Sequence, residues 1–197
     1  MTKDQSLETR DSGVETVVKL GGGLLAHPAY FDAVLAVIRD AASERRLLIV
    51  PGGGPFADVV RHADRRFTLS DDAAHWMAVL AMDQYAHLVV SRLAGSVLVA
   101  EPGEAAAAFG AGRLPVLAPS RWVRDADPLP HSWDVTSDSI AAWVADVIGA
   151  RRLVLVKPPG AGGGSVDAYF HRTLPAHVTS TIVAADQLDA IGAAMRA

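Results

Sequence analysis

Short apolar runs alternate with longer stretches of helical periodicity along this chain. The runs are Thr16–Leu20, Leu47–Val50, Val97–Ala100, Leu114–Ala118, Leu153–Val156 and Thr181–Ala184. They are continuous and rich in Val, Leu and Ile, as in strands covered on both faces. Helical patterns fill the gaps, at about Pro28–Ser43, Pro55–Arg65, Ser70–Leu93, Glu104–Phe109, Asp138–Ile148 and Asp186–Arg196. Strand–helix alternation of this kind predicts an α/β fold with a mainly parallel sheet. In open parallel sheets, ligands bind beyond the carboxyl ends of the strands. Arg121–Ser137, with two prolines and two tryptophans, reads as a loop, and Pro158–Ser165 as a second flexible stretch. The charged segment Met1–Glu15 has no apolar core of a signal peptide and reads as a flexible tail. Residues 16–197 then form one domain, a size within the usual range.

Composition narrows the function classes. Half of the 197 residues are hydrophobic, enough for a full core, and the net charge is −4. That balance argues against a general nucleic-acid binder. No uncharged apolar stretch reaches the ~18 residues of a membrane span. With no cysteine, disulfides, thiolate chemistry and cysteine-based zinc sites are excluded, and the chain is compatible with the cytoplasm.

The basic residues carry the first chemical signal. Among 18 Lys and Arg only three are lysine, and two of these end apolar runs at glycine-rich turns. Lys19 precedes Leu20-Gly21-Gly22-Gly23, and Lys157 precedes Pro158-Pro159-Gly160. A lysine kept where arginine dominates suits a site needing a compact point charge, such as phosphate approached by bare backbone. A further loop, Pro51-Gly52-Gly53-Gly54-Pro55, leads into a helix whose positive end would face an anion. Pro55 fits the first turn of that helix. Tight turning alone is the competing explanation of the glycines. The spacing excludes a P-loop, since no glycine precedes a lysine, and a G-x-G-x-x-G fingerprint, since Ala26 and Ala57 stand at the third glycine positions.

Two further clusters follow. In Trp133-Asp134-Val135-Thr136-Ser137-Asp138, Ser137 or Thr136 is a helix N-cap and Asp138 complements the helix dipole. Beside two phosphate-type lysines, Asp138 could also hold the ammonium groups, and Asp134 could do the same or approach a metal ion. In the long helix, Ser70 is the predicted N-cap. Asp72, His75, Trp76, Val79, Asp83, Ala86 and His87 recur at three- and four-residue spacing on one face. That face either is half-buried with ordinary histidine hydrogen bonds, or lines an acceptor pocket. In the second case Asp72 or Asp83 would pair with a substrate amine and Trp76 would pack on a ring. His75 and His87 are too far apart to chelate one metal, and no protein-held metal is expected.

These residues resemble the amino acid kinase family, a three-layer α/β/α sandwich. Its Lys-x-Gly-Gly strand end is matched by Lys19, Gly21 and Gly22, its Gly-Gly-Gly by Gly52, Gly53 and Gly54, and its helix-opening aspartate by Asp138. Within the family, Leu69–Ala78 and Trp133–Asp138 look most like the small aminomethylfuran-phosphate kinases of methanofuran and methylofuran biosynthesis. The resemblance implies ATP and Mg2+, a small phosphorylated substrate and at least a homodimer. It implies that Lys19 neutralises the transferred phosphoryl group, that Asp138 orients Lys19 and Lys157, and that Lys157 reaches the nucleotide phosphates. The glycines, with Ser137 and Gly160, would face phosphate or nucleotide.

The chain departs from the family in three ways. The acid usual just after the Lys157 strand is delayed to Asp167. The histidine that isopentenyl phosphate kinases carry after Gly-Gly-Gly is replaced by Pro55-Phe56-Ala57-Asp58. The chain is also short. Alternatives are a kinase of a carboxylate, carbamate or nucleoside monophosphate, or a non-catalytic nucleotide- or oxyanion-binding subunit.

Overall fold

A computed structural model of the chain describes residues 12–161 and 166–197. Its strands are β1 (Thr16–Leu20), β2 (Leu47–Pro51), β3 (Ser96–Val99), β4 (Leu114–Leu117), β5 (Arg152–Lys157) and β6 (Thr179–Ala184). They form one parallel sheet in the order β3-β4-β2-β1-β5-β6. The α-helices are α1 (Pro28–Ala42), α2 (Gly54–Phe67), α3 (Asp71–Arg92), α4 (Gly103–Gly110), α5 (Ser120–Ala126), α6 (Ser137–Val147), α7 (Phe170–Thr173) and α8 (Leu188–Arg196). A 3-10 turn spans Gly22–Ala26. No helix among the described residues is long and apolar enough to cross a membrane.

Strand periodicity divides the core into two layers, because successive side chains point to opposite faces. Val17, Leu48, Val50, Leu153 and Leu155 pack on one face with Ile140, Trp143 and Val144 of α6. Val18, Leu47, Ile49, Val154 and Val156 pack on the other with Val34 and Ile38 of α1 and Ile191 of α8. Both faces of the sheet are thus covered, as the continuous apolar runs require. The result is the expected three-layer α/β/α arrangement. β1 is central. The chain leaves it through α1 to β2 on one side and returns through α6 to β5 on the other. Its carboxyl end therefore lies at the point where strand order reverses, where loops separate and a crevice opens.

Several local features differ from the sequence expectation. The first residues of the stretch read as a loop, Arg121–Ala126, belong to a helix that starts at Ser120. Its start is held by Asp83 of α3, which accepts hydrogen bonds from the Ser120 N–H (3.0 Å) and the Ser120 hydroxyl. A cap donated from 37 positions earlier leaves no local mark in the sequence. The strand expected at Thr181 begins at Thr179, and a short helix, Phe170–Thr173, follows the Lys157 strand. Of the segment read as a tail, residues 1–11 lie outside the described residues. Ser12 is buried and its hydroxyl donates to the Ile148 carbonyl (3.3 Å), while the Glu15 N–H donates to Arg46 (2.9 Å). Of the Pro158–Ser165 stretch, residues 162–165 lie outside the described residues.

Asp83→Ala removes both acceptors at the start of α5. It should lower the unfolding free energy by about 1–2 kcal/mol, read as a lower urea midpoint with an unchanged m-value.

Candidate active site

The register of the sheet places the two lysines. Lys19 aligns with Leu155, so Lys157 stands two residues further on and points to the same face. Both follow the α6-facing rows Val17 and Leu153–Leu155, and both run into the first turn of α6. There Thr136 is the N-cap, its hydroxyl oxygen accepting from the Asp138 N–H. Asp138 meets both ammoniums: Lys19 Nζ lies 2.7 Å from Oδ1 and Lys157 Nζ 2.6 Å from Oδ2. All three residues are buried. Burial pushes the Lys19 ammonium below its ordinary value, against the Asp138 charge, and Lys157 adds to the push. Burial alone would raise the Asp138 carboxyl. The two cations outweigh it and hold the acid below its usual range. Two cations share one carboxylate, so the cluster carries a net positive charge.

The start of α6 is itself pinned. Asp167 accepts from Thr136 N–H (3.0 Å), Thr136 hydroxyl (2.8 Å), Ser139 N–H (3.0 Å), Ser139 hydroxyl (2.5 Å) and Tyr169 N–H (3.1 Å). The delayed acid thus fixes the turn that carries Asp138.

Over the lysines lie the glycine loops. Gly21 N–H donates to Val156 and Gly52 N–H to Leu20, both at 2.8 Å, which locks the loops to their strands. The N–H groups of Gly22, Gly23 and Gly53 make no hydrogen bond among the described residues. At Gly22 a Cβ would lie 2.5 Å from the Gly54 backbone nitrogen, so the two loops touch only because neither carries a side chain there. Gly54 has φ +56°, in the left-handed region, where glycine enters the first turn of α2 without strain.

These parts wall a cavity of about 250 Å³. Lys19, Gly22, Gly23, Gly53, Gly54 and Ser137 form its glycine-lined end. From α2 come Asp58 and Arg61, and from α3 a stripe of Asp71, His75, Ala78 and Met82. Arg61 pairs with Asp58 (2.9 Å) and lies 4.9 Å over the ring of Trp133, whose indole N–H donates to Asp64 (2.8 Å). Trp133 also lines the cavity. Among the described residues no group of three or more His, Asp or Glu side chains converges as a metal-holding set.

Of the residues proposed from the sequence, the structure brings together Lys19, Lys157 and Asp138, and places Gly22, Gly53, Gly54, Ser137 and His75 on the cavity. Gly21 and Gly52 lie behind it in strand-end hydrogen bonds. Asp134 is exposed, and the Gly160 N–H donates to Asp186 (3.3 Å). Asp72, Trp76 and Asp83 do not line the cavity. Asp83 caps α5, Asp72 pairs with His131 Nδ1 (2.6 Å), and Trp76 packs at the edge of His131 and under Arg124. Of the helix face read in the sequence, His75 and Val79 line the cavity, joined there by Asp71, Ala78 and Met82. Arg61, Asp58, Asp71 and His131 escaped sequence reasoning, although the Arg61–Asp58 spacing of three on a helix was a signal available there. Asp167 and Trp133 were marked only as parts of motifs, because their partners Thr136, Ser139 and Asp64 lie far away in the chain.

His131 holds the back of the α3 wall. Its second nitrogen meets Asp127 at 2.8 Å, and its ring stacks on His75 at 4.2 Å and 19°. The hydrogen bond to Asp72, with that to Asp127, raises the His131 imidazole above its ordinary value. His75 is lowered to about 4 by burial and by the neighbouring His131.

The sequence matches the amino acid kinase family over residues 15–158. It is 27% identical over 147 residues to a (5-(aminomethyl)furan-3-yl)methyl phosphate kinase of Methanocaldococcus jannaschii, covering 71% of this chain and 63% of that protein. The chain thus aligns with less than two thirds of that relative. In fold it is similar to a uridylate kinase from Archaeoglobus fulgidus, with TM-score 0.65, 14% identity, 90% of this chain and 95% of that one. A UMP kinase from Ureaplasma parvum gives TM-score 0.66 at 13% identity, over 89% and 92%.

Two outcomes follow for stability. Asp138→Ala leaves two buried ammoniums without a counter-charge and should cost about 3–5 kcal/mol in chemical denaturation. His131, with a raised folded value, adds stability that is present below the unfolded value of 6.5 and lost as pH rises through the folded one. His131→Gln should therefore lower the urea midpoint more at pH 6 than at pH 9.

Proposed function

The chain belongs to the amino acid kinase family, and we propose that it is an ATP-dependent phosphotransferase whose acceptor is a small phosphomonoester. The acceptor that fits best is (5-(aminomethyl)furan-3-yl)methyl phosphate, converted to its diphosphate in methanofuran-type cofactor biosynthesis. The observation that carries the reading is the buried Lys19–Asp138–Lys157 cluster beneath unbonded glycine N–H groups, opening on a cavity of small-molecule size. The 27% identity to the aminomethylfuran phosphate kinase supports the choice of acceptor.

In this reading a phosphate oxygen of the acceptor attacks the γ-phosphorus of ATP. The new O–P bond forms as the bond to the β–γ bridging oxygen breaks, and ADP leaves. Such transfers need little covalent chemistry from the protein, and catalysis is positioning plus charge stabilisation. Lys19, on the cavity wall, meets the charge of the phosphoryl group in flight. Lys157 serves the nucleotide phosphates behind it. Asp138 takes no proton. It keeps both ammoniums charged despite burial and holds them in place. Gly22, Gly23 and Gly53 donate backbone N–H groups to phosphoryl oxygens, as the unbonded donors of P-loops and nests do in other folds. Mg2+ would arrive with the nucleotide and neutralise phosphate charge, since magnesium sites of this kind use substrate phosphates as ligands.

The test is ADP release with ATP and Mg2+ over aminomethylfuran methyl phosphate, isopentenyl phosphate, UMP and acetylglutamate. Turnover confined to the furan phosphate is the expected result. Turnover with UMP or acetylglutamate instead would replace the acceptor, and silence with all four would remove the kinase reading. Lys19→Ala should lower kcat by about 10²–10³-fold or more while the circular dichroism spectrum stays that of the folded chain, Lys157 remaining as the Asp138 counter-charge.

A further inference from the structure

The α3 wall of the cavity has no part in the phosphoryl transfer described above, and its charges are unusual. His131 sits between two carboxylates, with Nδ1 2.6 Å from Asp72 and Nε2 2.8 Å from Asp127. A carboxylate only accepts, so both ring nitrogens must donate, and the ring is an imidazolium. His75 stacks face to face on that cation at 4.2 Å and is itself 8% exposed. Two stacked imidazoles cannot both ionise at that distance without strong repulsion, and the carboxylates fix the proton on His131. His75 is left neutral, with one lone pair and one N–H. Neither nitrogen has a hydrogen-bond partner among the described residues. A buried imidazole with unused hydrogen-bonding capacity on a cavity wall is a group in want of a ligand.

Charge arithmetic around the cavity says which ligand. At the glycine end two lysines share Asp138, an excess of one positive charge. In the middle, Arg61 and Asp58 cancel. One turn before His75, and on the same stripe, Asp71 lines the cavity and pairs with no cation among the described residues. The site is therefore positive at one end and negative at the other. A molecule with a phosphate and a protonated amine matches both ends. A neutral His75 suits the amine end, because a charged one would repel it.

We propose that His75 accepts a hydrogen bond from a primary ammonium of the acceptor while Asp71 supplies the counter-charge, so that this wall selects amine-bearing phosphomonoesters. His131 acts through His75 as a positioning residue: it occupies the stack as a fixed cation and keeps His75 from becoming one. The proposal rests on the phosphotransferase reading and names how that site tells its substrate from others. The charged groups acting on His75 are His131, Asp127 and Asp72; Trp76 lies at its edge with Arg124 over that ring, and Asp71, Asp58 and Arg61 share the cavity wall with it. Of these only His131 titrates near neutrality in an unfolded chain, and its two carboxylates hold it charged.

The experiment compares aminomethylfuran methyl phosphate with its hydroxymethyl analogue, by steady-state kinetics and by calorimetric binding to the full chain. Wild type should prefer the amine. His75→Phe and Asp71→Asn should each raise KM and Kd for the amine about tenfold or more, as expected when a charged group loses its partner, and shift the hydroxymethyl analogue by less than about twofold. His131→Gln supplies a readout that loss of packing would not. With the neighbouring cation gone, His75 can protonate near neutrality, so KM for the amine should rise as pH falls from 8 to 6, where the wild-type profile is flat. His131→Ala, which also removes the neighbouring cation, should move the profile the same way if His131→Gln folds poorly. Equal effects of His75→Phe on both acceptors, or a flat profile in both pH variants, would overturn the proposal. Preferential binding of the amine without ADP release would remove the kinase reading and leave amine recognition standing. Absence of binding by either compound would sink both.

Discussion

The arrangement of this molecule depends on one buried carboxylate held between two buried ammoniums. Desolvating three charges is costly, and the cost is met only where attraction is close and geometry fixed. Lys19 and Lys157 come from adjacent parallel strands, two residues apart in register, so the sheet itself sets their spacing. Asp138 comes from the first turn of a helix whose dipole favours its charge. That turn is anchored by four hydrogen bonds to Asp167. The excess positive charge left over is what an anionic ligand would satisfy. Stability and chemistry here draw on the same three side chains.

Most of the fold was legible in the sequence because a parallel sheet covered on both faces leaves a plain signature. Val17-Val18, Leu48-Ile49-Val50 and Leu153–Val156 are apolar without alternation, and each became a central strand. The glycine-lined end of the cavity was legible for a related reason. Its members are backbone or point charge at strand ends, and both are fixed by position along the chain. Lys19, Gly22 and Gly54 need no knowledge of what lies across from them.

The α3 wall of the cavity was legible only at His75 and Val79, and the reason is geometric. Helix α3 buries residues on several sides, with Tyr85 and Val89 in one core layer and Val79 and Met82 in the other. Periodicity alone then allows more than one stripe. The stripe through Asp72, Trp76 and Asp83 was chemically richer, yet it meets α5 and the His131 segment. The stripe through Asp71, His75, Ala78 and Met82 meets the cavity. The difference is about 100° around the helix, one residue in register. The helix α5 was hidden in the same way, since its cap is a side chain of α3. His131 is intelligible only once Asp72 and Asp127 stand beside it.

The central place of β1 has a consequence for biosynthesis. β1 ends at Leu20, and its second neighbour, β5, begins at Arg152. At ribosomal rates of ~5–20 residues per second, the intervening segment of about 130 residues takes roughly 7–26 s to emerge. Throughout that interval the first strand has at least one edge unpaired, and Lys19 lacks Asp138 for most of it and Lys157 for all of it. The nascent chain therefore carries Lys19 without its full set of partners and its innermost strand open until nearly the last of the sheet is made. Docking of α6 and β5 completes the core and removes that charge from water in a single late event.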